Sequence, residues 1–349
     1  MVVRDDIHLL MTLSICIVTW NSEKYLPELM KSIFQQTVLT REDYDIKISL
    51  DVVDSGSADN SVAYLQQEYP EVHILRNMQN LGFAKSYNQA IRMSATDYVL
   101  VLNADIVLEP DYLEKLLTVI KKDEQIGSVA GKLLRAHSGE SYGQGFFEIK
   151  KTKIIDSCGL VMKRERRFVN LGEGEEDQGQ YDAGENIFGF CAAAVLYRRA
   201  ALEKVKYSQE YFDEDFFSYK EDIDLSWRLK QAGWRAIFVP TAMAYHFRGV
   251  STTTKKYTNL AVAKFYKKKN RLVRRLSYRN HLLCLIKNEK ARDFWRNFFP
   301  IFWYELRKFV FLIFCDWPTL KGFFQALFLI PKMRAKRELL GNRSNKVIE

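Results

Sequence analysis

The chain has 349 residues and a mass of 40.9 kDa, more than one hydrophobic core usually covers, so a large domain with an appendage is expected. Hydrophobic residues make up 47% and charged residues 27%, which excludes wholesale disorder, collagen-like repeats and a polytopic membrane protein. The net charge of +9 is unevenly spread: residues 255–349 hold 23 Lys and Arg against six Asp and Glu, and residues 1–254 are net acidic.

That asymmetry divides the chain into an acidic body, 1–254, and a basic appendage, 255–349. Cys16, Cys158, Cys191, Cys284 and Cys315 show no CxxC spacing, so neither a disulfide framework nor a zinc site is expected. The opening MVVRDDIHLLM sets an acidic pair before a short apolar run. It reads as a flexible lead over Met1–Leu10 rather than a signal peptide, and the expected location is the cytoplasm.

Strand and helix then alternate. Residues 12–19 (TLSICIVT) read as a strand and 22–35 as a helix; 48–54 as a strand and 59–68 as a helix. A short strand at 72–75 precedes a helix at 82–93, and the apolar YVLVL at 98–102 precedes a helix at 110–121. Such alternation predicts a mostly parallel sheet flanked by helices. Ligands bind beyond the carboxyl ends of such strands, which singles out Trp20, Asn21, Asp54, Ser55, Asn103 and Asp105. Residues 138–186 are rich in Gly and charge and read as hairpins and loops, 187–199 as a buried strand, and 212–219 as an acidic, aromatic loop. A helix at 221–232 should stop at Gly233.

Several polar groups invite chemistry. Asp105 ends an apolar strand, where a carboxylate can hold Mg²⁺ or Mn²⁺ against a diphosphate or simply make a turn. Asp54 can accept hydrogen bonds from a ribose or cap its own turn. Glu221, Asp222 and Asp224 open a helix whose dipole favours ionised carboxylates, and one of them could serve as a general base. His246, in AMAYHFRG after an expected strand, is by itself a core or turn residue more often than a ligand.

The appendage combines KFYKKKNRLVRR at 264–275 with fourteen aromatic residues across 294–328. Its longest uncharged stretch in that region, 322–331, is far shorter than the roughly 20 residues that span a bilayer. Charge-broken apolar helices beside Lys/Arg clusters fit an anionic membrane surface better than nucleic acid. A helical hairpin packed on the body, or a homodimer contact, is the alternative.

In order, VTWNSEKYL, VVDSGSADNS, NLGFAKSYNQA, VLNAD, FDEDFFSYKEDIDLSWRLKQAGW and a later YH resemble the family 2 glycosyltransferases of the GT-A fold, particularly the bacterial rhamnosyltransferase-like branch. The resemblance covers roughly residues 12–251. It implies transfer of a sugar, with inversion, from a nucleoside-diphosphate donor to an acceptor hydroxyl. It further implies that Trp20 stacks near the base, Asp54 and Asn80 read base or ribose, and Lys85 approaches the diphosphate. Asn103 and Asp105 fall at the DXD position, with Asp105 a ligand of Mg²⁺ or Mn²⁺ and His246 a second. Asp222 would be the general base and Glu221 its neighbour. Asn103 stands where the first Asp is usual, Ala104 where the branch has Pro, and Ala192 where it often has Gly. The branch favours dTDP-L-rhamnose as donor and a polyprenyl-diphosphate-linked glycan as acceptor at the inner face of the membrane. A UDP-hexose or galactofuranose donor is the runner-up. A sugar nucleotidyltransferase is disfavoured because TWNSEKYL lacks that class's Gly-rich phosphate loop, and a binding protein with a degenerate core is the remaining alternative.

Overall fold

The computed structural model describes residues 10–41, 44–141, 147–184, 187–247 and 270–345. The expected lead at 1–9 and most of the basic run before residue 270 lie outside the described residues.

Strands β1 (Met11–Thr19), β2 (Ile46–Asp54), β3 (His73–Arg76) and β4 (Tyr98–Asn103) form a parallel block in the order β3-β2-β1-β4. In β1, Leu13, Ile15 and Ile17 enter a core with helices α1 (Leu26–Phe34), α2 (Thr37–Thr40) and α5 (Tyr112–Ile120). Cys16 enters a second core on the other face, with α4 (Phe83–Met93). Burial on both faces is why these strands read as unbroken apolar runs. Helix α3 (Ser61–Glu68) connects β2 to β3.

The sheet continues through β10 (Ala194–Arg198), antiparallel to β4, then β6 (Ile126–Ser141), β11 (Arg235–Phe247) and the short β5 (Ile106–Leu108). Strand β7 (Phe147–Ser157) pairs with β6 as a hairpin, and β8 (Leu160–Met162) pairs with β9 (Phe168–Asn170). The expected hairpins are present, but β6 begins twelve residues before 138. The strand expected over 187–199 is shorter. Residues 191–193 turn before it, with the Ala193 N–H donating to the Cys191 carbonyl and the Ala193 carbonyl accepting from Asn103 at the end of β4. The loop at 212–219 contains a 3-10 turn over Glu214–Phe216. His246 lies within β11 rather than after a strand.

Helices α6 (Arg199–Val205) and α7 (Glu221–Gln231) back the second core. Gly233, at φ +88°, ends α7 as expected. The appendage is helical: α8 (Arg271–Asn288), α9 (Ala291–Arg296), α10 (Phe298–Cys315) and α11 (Trp317–Asn345). It packs on the body. Leu283, Cys284, Ala326 and Met333 share a core with Phe216, Ile223 and Trp227.

Charge reinforces that contact. The ammonium of Lys287 is fully buried, 2.6 Å from Asp213 and 2.9 Å from Asp224. Arg228 reaches Asp224 at 2.9 Å, Asn288 donates to the same carboxylate, and Lys336 reaches Asp213 at 2.5 Å. Burial opposes charge on Asp213, but Lys287 and Lys336 outweigh it and hold its carboxyl far below the usual range. Removing one partner strands a buried charge. Lys287→Met should therefore cost about 3–5 kcal/mol of unfolding free energy in urea titration; a loss below 1 kcal/mol would show that the cluster relaxes without it.

Candidate active site

Two groups of expected residues meet at the carboxyl ends of the parallel strands. The first surrounds the turn after β2. Asp54 is fully buried, and its carboxylate accepts hydrogen bonds from the Ser57 N–H at 3.1 and 3.3 Å. Arg76 lies 3.7 Å away. Here the carboxylate caps its own turn. Ser55 ties that turn to the next loop by accepting from the Leu81 N–H and donating to the Asn80 side chain. Asn80 in turn accepts from Gly82 at 2.8 Å. Trp20 follows β1 with its ring more than half exposed, and Lys85 is exposed on the first turn of α4. Among the described residues, neither side chain touches another of the candidates.

The N-terminus of α4 is already engaged. Phe83 N–H donates to Ser218 Oγ and Ala84 N–H to the Phe217 carbonyl. Gly82, at φ +82°, permits this approach, since a Cβ there would lie 2.5 Å from Phe217.

The second group surrounds the β4–β5 turn. Asn103 accepts at 3.0 Å from the buried Tyr87 hydroxyl. The Asp105 carboxylate faces His246 Nε2 at 3.3 Å, and its carbonyl accepts from the Phe247 N–H. The other ring nitrogen, Nδ1, lies 2.9 Å from Asp156, a fully buried carboxylate on β7. Burial works against a charged imidazole, but Asp105 and then Asp156 outweigh it and hold His246 at about 9. Asp156 escaped the sequence reading. An Asp directly after Ile154 and Ile155 in an otherwise basic strand was the available signal.

No cluster of three acidic, His or Cys ligands occurs among the described residues. A two-residue protein set nevertheless suits a cation that takes its remaining ligands from substrate phosphates and water. A carboxylate that orients an imidazole through its far nitrogen is the usual support of a metal-binding His. Asp105 and His246 therefore fit a divalent cation, with the mixed oxygen and nitrogen set leaning towards Mn²⁺ over Mg²⁺.

Asp222 sits half-buried in the first turn of α7. It accepts from the Ile223 N–H at 2.8 Å, and the backbone amide of Ala192 favours its charged form. The next carbonyl, Ala193, accepts from the Asn103 N–H at 2.8 Å. Residues 191–193 thus join the carboxylate to the β4–β5 turn. Burial raises the Asp222 pKa above the ordinary aspartate range. Burial also lifts Glu221 well above the glutamate range, with Asp222 adding to the effect. Burial and mutual repulsion thus oppose charge on both carboxyls at once. Asp224 faces the opposite way, into the Lys287 cluster.

Before this helix, Phe217, Tyr219 and Lys220 all have φ between +63° and +73°, a conformation that costs non-glycine residues about 1–3 kcal/mol each. Asn280 of α8, fully buried, holds the loop by donating to the carbonyls of Phe216, Ser218 and Tyr219 at 2.7–2.9 Å. Arg279 donates to those of Asp215 and Phe216. Neither residue stood out in the sequence, because their targets are backbone atoms more than sixty positions away.

A mixed sheet with this edge site is the arrangement of a GT-A glycosyltransferase. The sequence matches the glycosyl transferase family 2 profile over residues 14–206, more than half the chain, and the glycosyl transferase family group 2 profile over 166–325. The chain belongs to glycosyl transferase family 2. It is 27% identical over 228 residues to the N-acetylglucosaminyl-diphospho-decaprenol L-rhamnosyltransferase of Mycobacterium tuberculosis, covering 61% of this chain and 71% of that protein. It is also 27% identical over 212 residues to an N-acetylglucosaminyltransferase of Mesorhizobium japonicum, covering 59% of this chain and 45% of that one. Its fold is similar to that of GalNAc-T7, solved with UDP, GalNAc and Mn²⁺, at a TM-score of 0.55 and 14% identity over 80% of this chain and 49% of that one. It is likewise similar to residues 1–349 of Staphylococcus aureus TarS, at a TM-score of 0.50 and 16% identity over 96% and 89%.

If Asp156 orients His246, Asp156→Asn should weaken Mn²⁺ binding in the presence of nucleotide by about 10–100-fold. Isothermal titration measures it, and unchanged affinity would remove His246 from the ligand set.

Proposed function

We propose that the protein transfers a single sugar, with inversion at the anomeric carbon, from a nucleoside-diphosphate donor to a hydroxyl of a polyprenyl-diphosphate-linked glycan. The observation that carries this reading is the pairing of Asp222, beside the buried Glu221, with the Asp105–His246 edge through residues 191–193. Inversion needs a base on one face of the sugar and a stabilised leaving group on the other. Asp222 takes the proton from the acceptor hydroxyl as it attacks. The Ile223 amide fixes its direction, and its raised pKa improves its affinity for that proton. Asp105 and His246 would hold Mg²⁺ or Mn²⁺, which when bound neutralises the departing diphosphate. Trp20, Asp54, Asn80, Lys85 and Asn103 form the donor side. The mycobacterial relative's name supports L-rhamnose as the sugar, for which we take dTDP-L-rhamnose as donor, and the N-acetylglucosaminyltransferase's name supports a hexosamine, with a UDP-sugar as the alternative donor.

Asp222→Asn should lower turnover about 10²–10⁴-fold while donor affinity stays nearly unchanged. Single-turnover assays with dTDP- and UDP-sugars, beside donor titrations, test this. A variant with wild-type turnover would exclude Asp222 as the base.

The reading also places the enzyme at the surface of the membrane that carries its acceptor. No helix of the described residues is long and apolar enough to cross a membrane. Instead Phe299, Trp303 and Phe314 expose 57–81% of their surface along one side of α10, a side suited to lie in the interface. Replacing all three with Glu should sharply reduce flotation of the full chain with phosphatidylglycerol liposomes. Wild-type flotation should fall, without vanishing, in high salt. Unchanged flotation of the triple variant would assign this face to another role, such as contact with a second copy.

A further inference from the structure

A cavity of about 180 Å³ lies between the β8–β9 hairpin, the loop before α7, and helices α8 and α10. Its nine lining residues include Arg167, Lys220, Arg274 and Lys308, together with His281 and Tyr304, and none is acidic. Some of this charge is balanced from behind the wall. Asp316 lies 3.3 Å from Arg274, and Glu305 lies 2.7 Å from His281. Among the described residues, Lys220 and Lys308 have no carboxylate oxygen within salt-bridge distance. Lys308 instead lies over the rings of Tyr278 and Tyr304, 4.7 and 5.5 Å from their centres. Burial lowers its pKa to about 8 against the pull of Glu305, and the charge of Lys220 adds to the drop. Two partly desolvated cations beside one cavity, with no carboxylate of the described residues in direct contact with either, leave room for an anion to enter. Ammonium, guanidinium and phenol donors around a small space match phosphate oxygens.

Place and surroundings narrow the anion. The cavity touches the catalytic element at Lys220, two residues before Asp222, whereas the donor diphosphate belongs at Asp105. Tyr304 and Lys308 lie one turn apart on the inner side of α10. Phe299, Trp303 and Phe314 occupy the opposite, exposed side, about 10 Å across a helix. The same helix therefore offers an apolar side and a cationic one, the two halves of a phosphorylated amphiphile.

We propose that this cavity binds the diphosphate of the lipid-borne acceptor, with Lys220 and Lys308 as its principal cations, which would bring the sugar attached to that diphosphate beside Asp222. The lipid identity rests on the function proposed above, while the anion site rests on the cavity alone. The test uses the full chain in EDTA, so that no metal holds a diphosphate at Asp105, with inorganic pyrophosphate, farnesyl diphosphate and phosphatidylglycerol vesicles as probes in calorimetry and flotation. Farnesyl diphosphate should bind at least about tenfold more tightly than pyrophosphate. Lys308→Met should weaken both by about tenfold or more and raise the melting temperature of the free protein, because a desolvated cation is gone; Lys308→Arg should restore binding. Unaltered affinities in Lys308→Met would overturn the site. Equal affinity for the two diphosphates would overturn the lipid assignment in favour of a free anion. Vesicle binding lost in Lys308→Met while farnesyl diphosphate binding persists would overturn it in favour of a headgroup. The two readings fail separately. Wild-type turnover with an acceptor KM unmoved by Lys308→Met sinks the cavity and leaves the transferase, whereas Lys308-dependent binding without turnover of any nucleotide sugar sinks the transferase and leaves the cavity.

Discussion

The contact on which the rest of the molecule depends is the buried charge cluster around Lys287. Its ammonium joins Asp213, in the loop before the 3-10 turn, to Asp224 in the first turns of α7. A buried ion cluster adds little net stability over a well-packed apolar patch of the same shape. What it supplies here is register. An apolar contact between α7 and α8 would tolerate sliding, whereas one lysine placed between two carboxylates tolerates none. With α8 fixed, Arg279 and Asn280 fall beneath the loop before α7 and engage its carbonyls. Three residues with positive φ in that loop then become affordable in a chain with no glycine between Gly189 and Gly233. The direction of Asp222 follows from that loop at one end and from residues 191–193 at the other.

This arrangement makes the appendage part of the candidate active site. A boundary near residue 254 describes composition well but function poorly. The helices beyond it hold the backbone from which the proposed base projects, wall the cationic cavity, and present the exposed aromatic side. Cutting there would remove the support of Asp222 together with any membrane contact.

The parallel half of the sheet was legible because both its faces are buried, and unbroken apolar runs flanked by turn residues have few other readings. Strand β6 was less so. It carries Lys132 and Arg135 at buried positions, where the carboxylates of Asp177, Asp182 and Asp156 meet them, and buried charges break an apolar pattern. Residues 187–193 failed in the opposite sense. They are apolar enough for a strand, yet they are divided between two partners: Phe188 and Gly189 bridge Leu160 of β8, and Ala193 meets Asn103 at the end of β4. In FDEDFFSYKEDID six acidic residues compete for roles, and local sequence does not separate them. The partners that do so for Asp213 lie 74 and 123 residues further on, at Lys287 and Lys336. Once those two claim Asp213, and Lys287 with Arg228 claims Asp224, Asp222 is left facing the sheet edge.

The same partnering changes what the charge of the appendage can do. Counted along the sequence, residues 255–349 offer a strong attraction to an anionic surface. In the fold, Lys287 and Lys336 are spent on Asp213 and Asp224, Lys332 on Asp215, and Arg274 on Asp316, while Arg279 binds loop carbonyls. Lys308 points into the cavity. Lys287, Lys332 and Lys336 thus answer part of the excess acid of the body, while Arg274 is paired within the appendage. The charge left for a membrane is correspondingly smaller, and it is screened within a Debye length of about 8 Å. The apolar side of α10 is not screened. Any hold this chain has on a membrane through its appendage must therefore rest more on Phe299, Trp303 and Phe314 than on net charge.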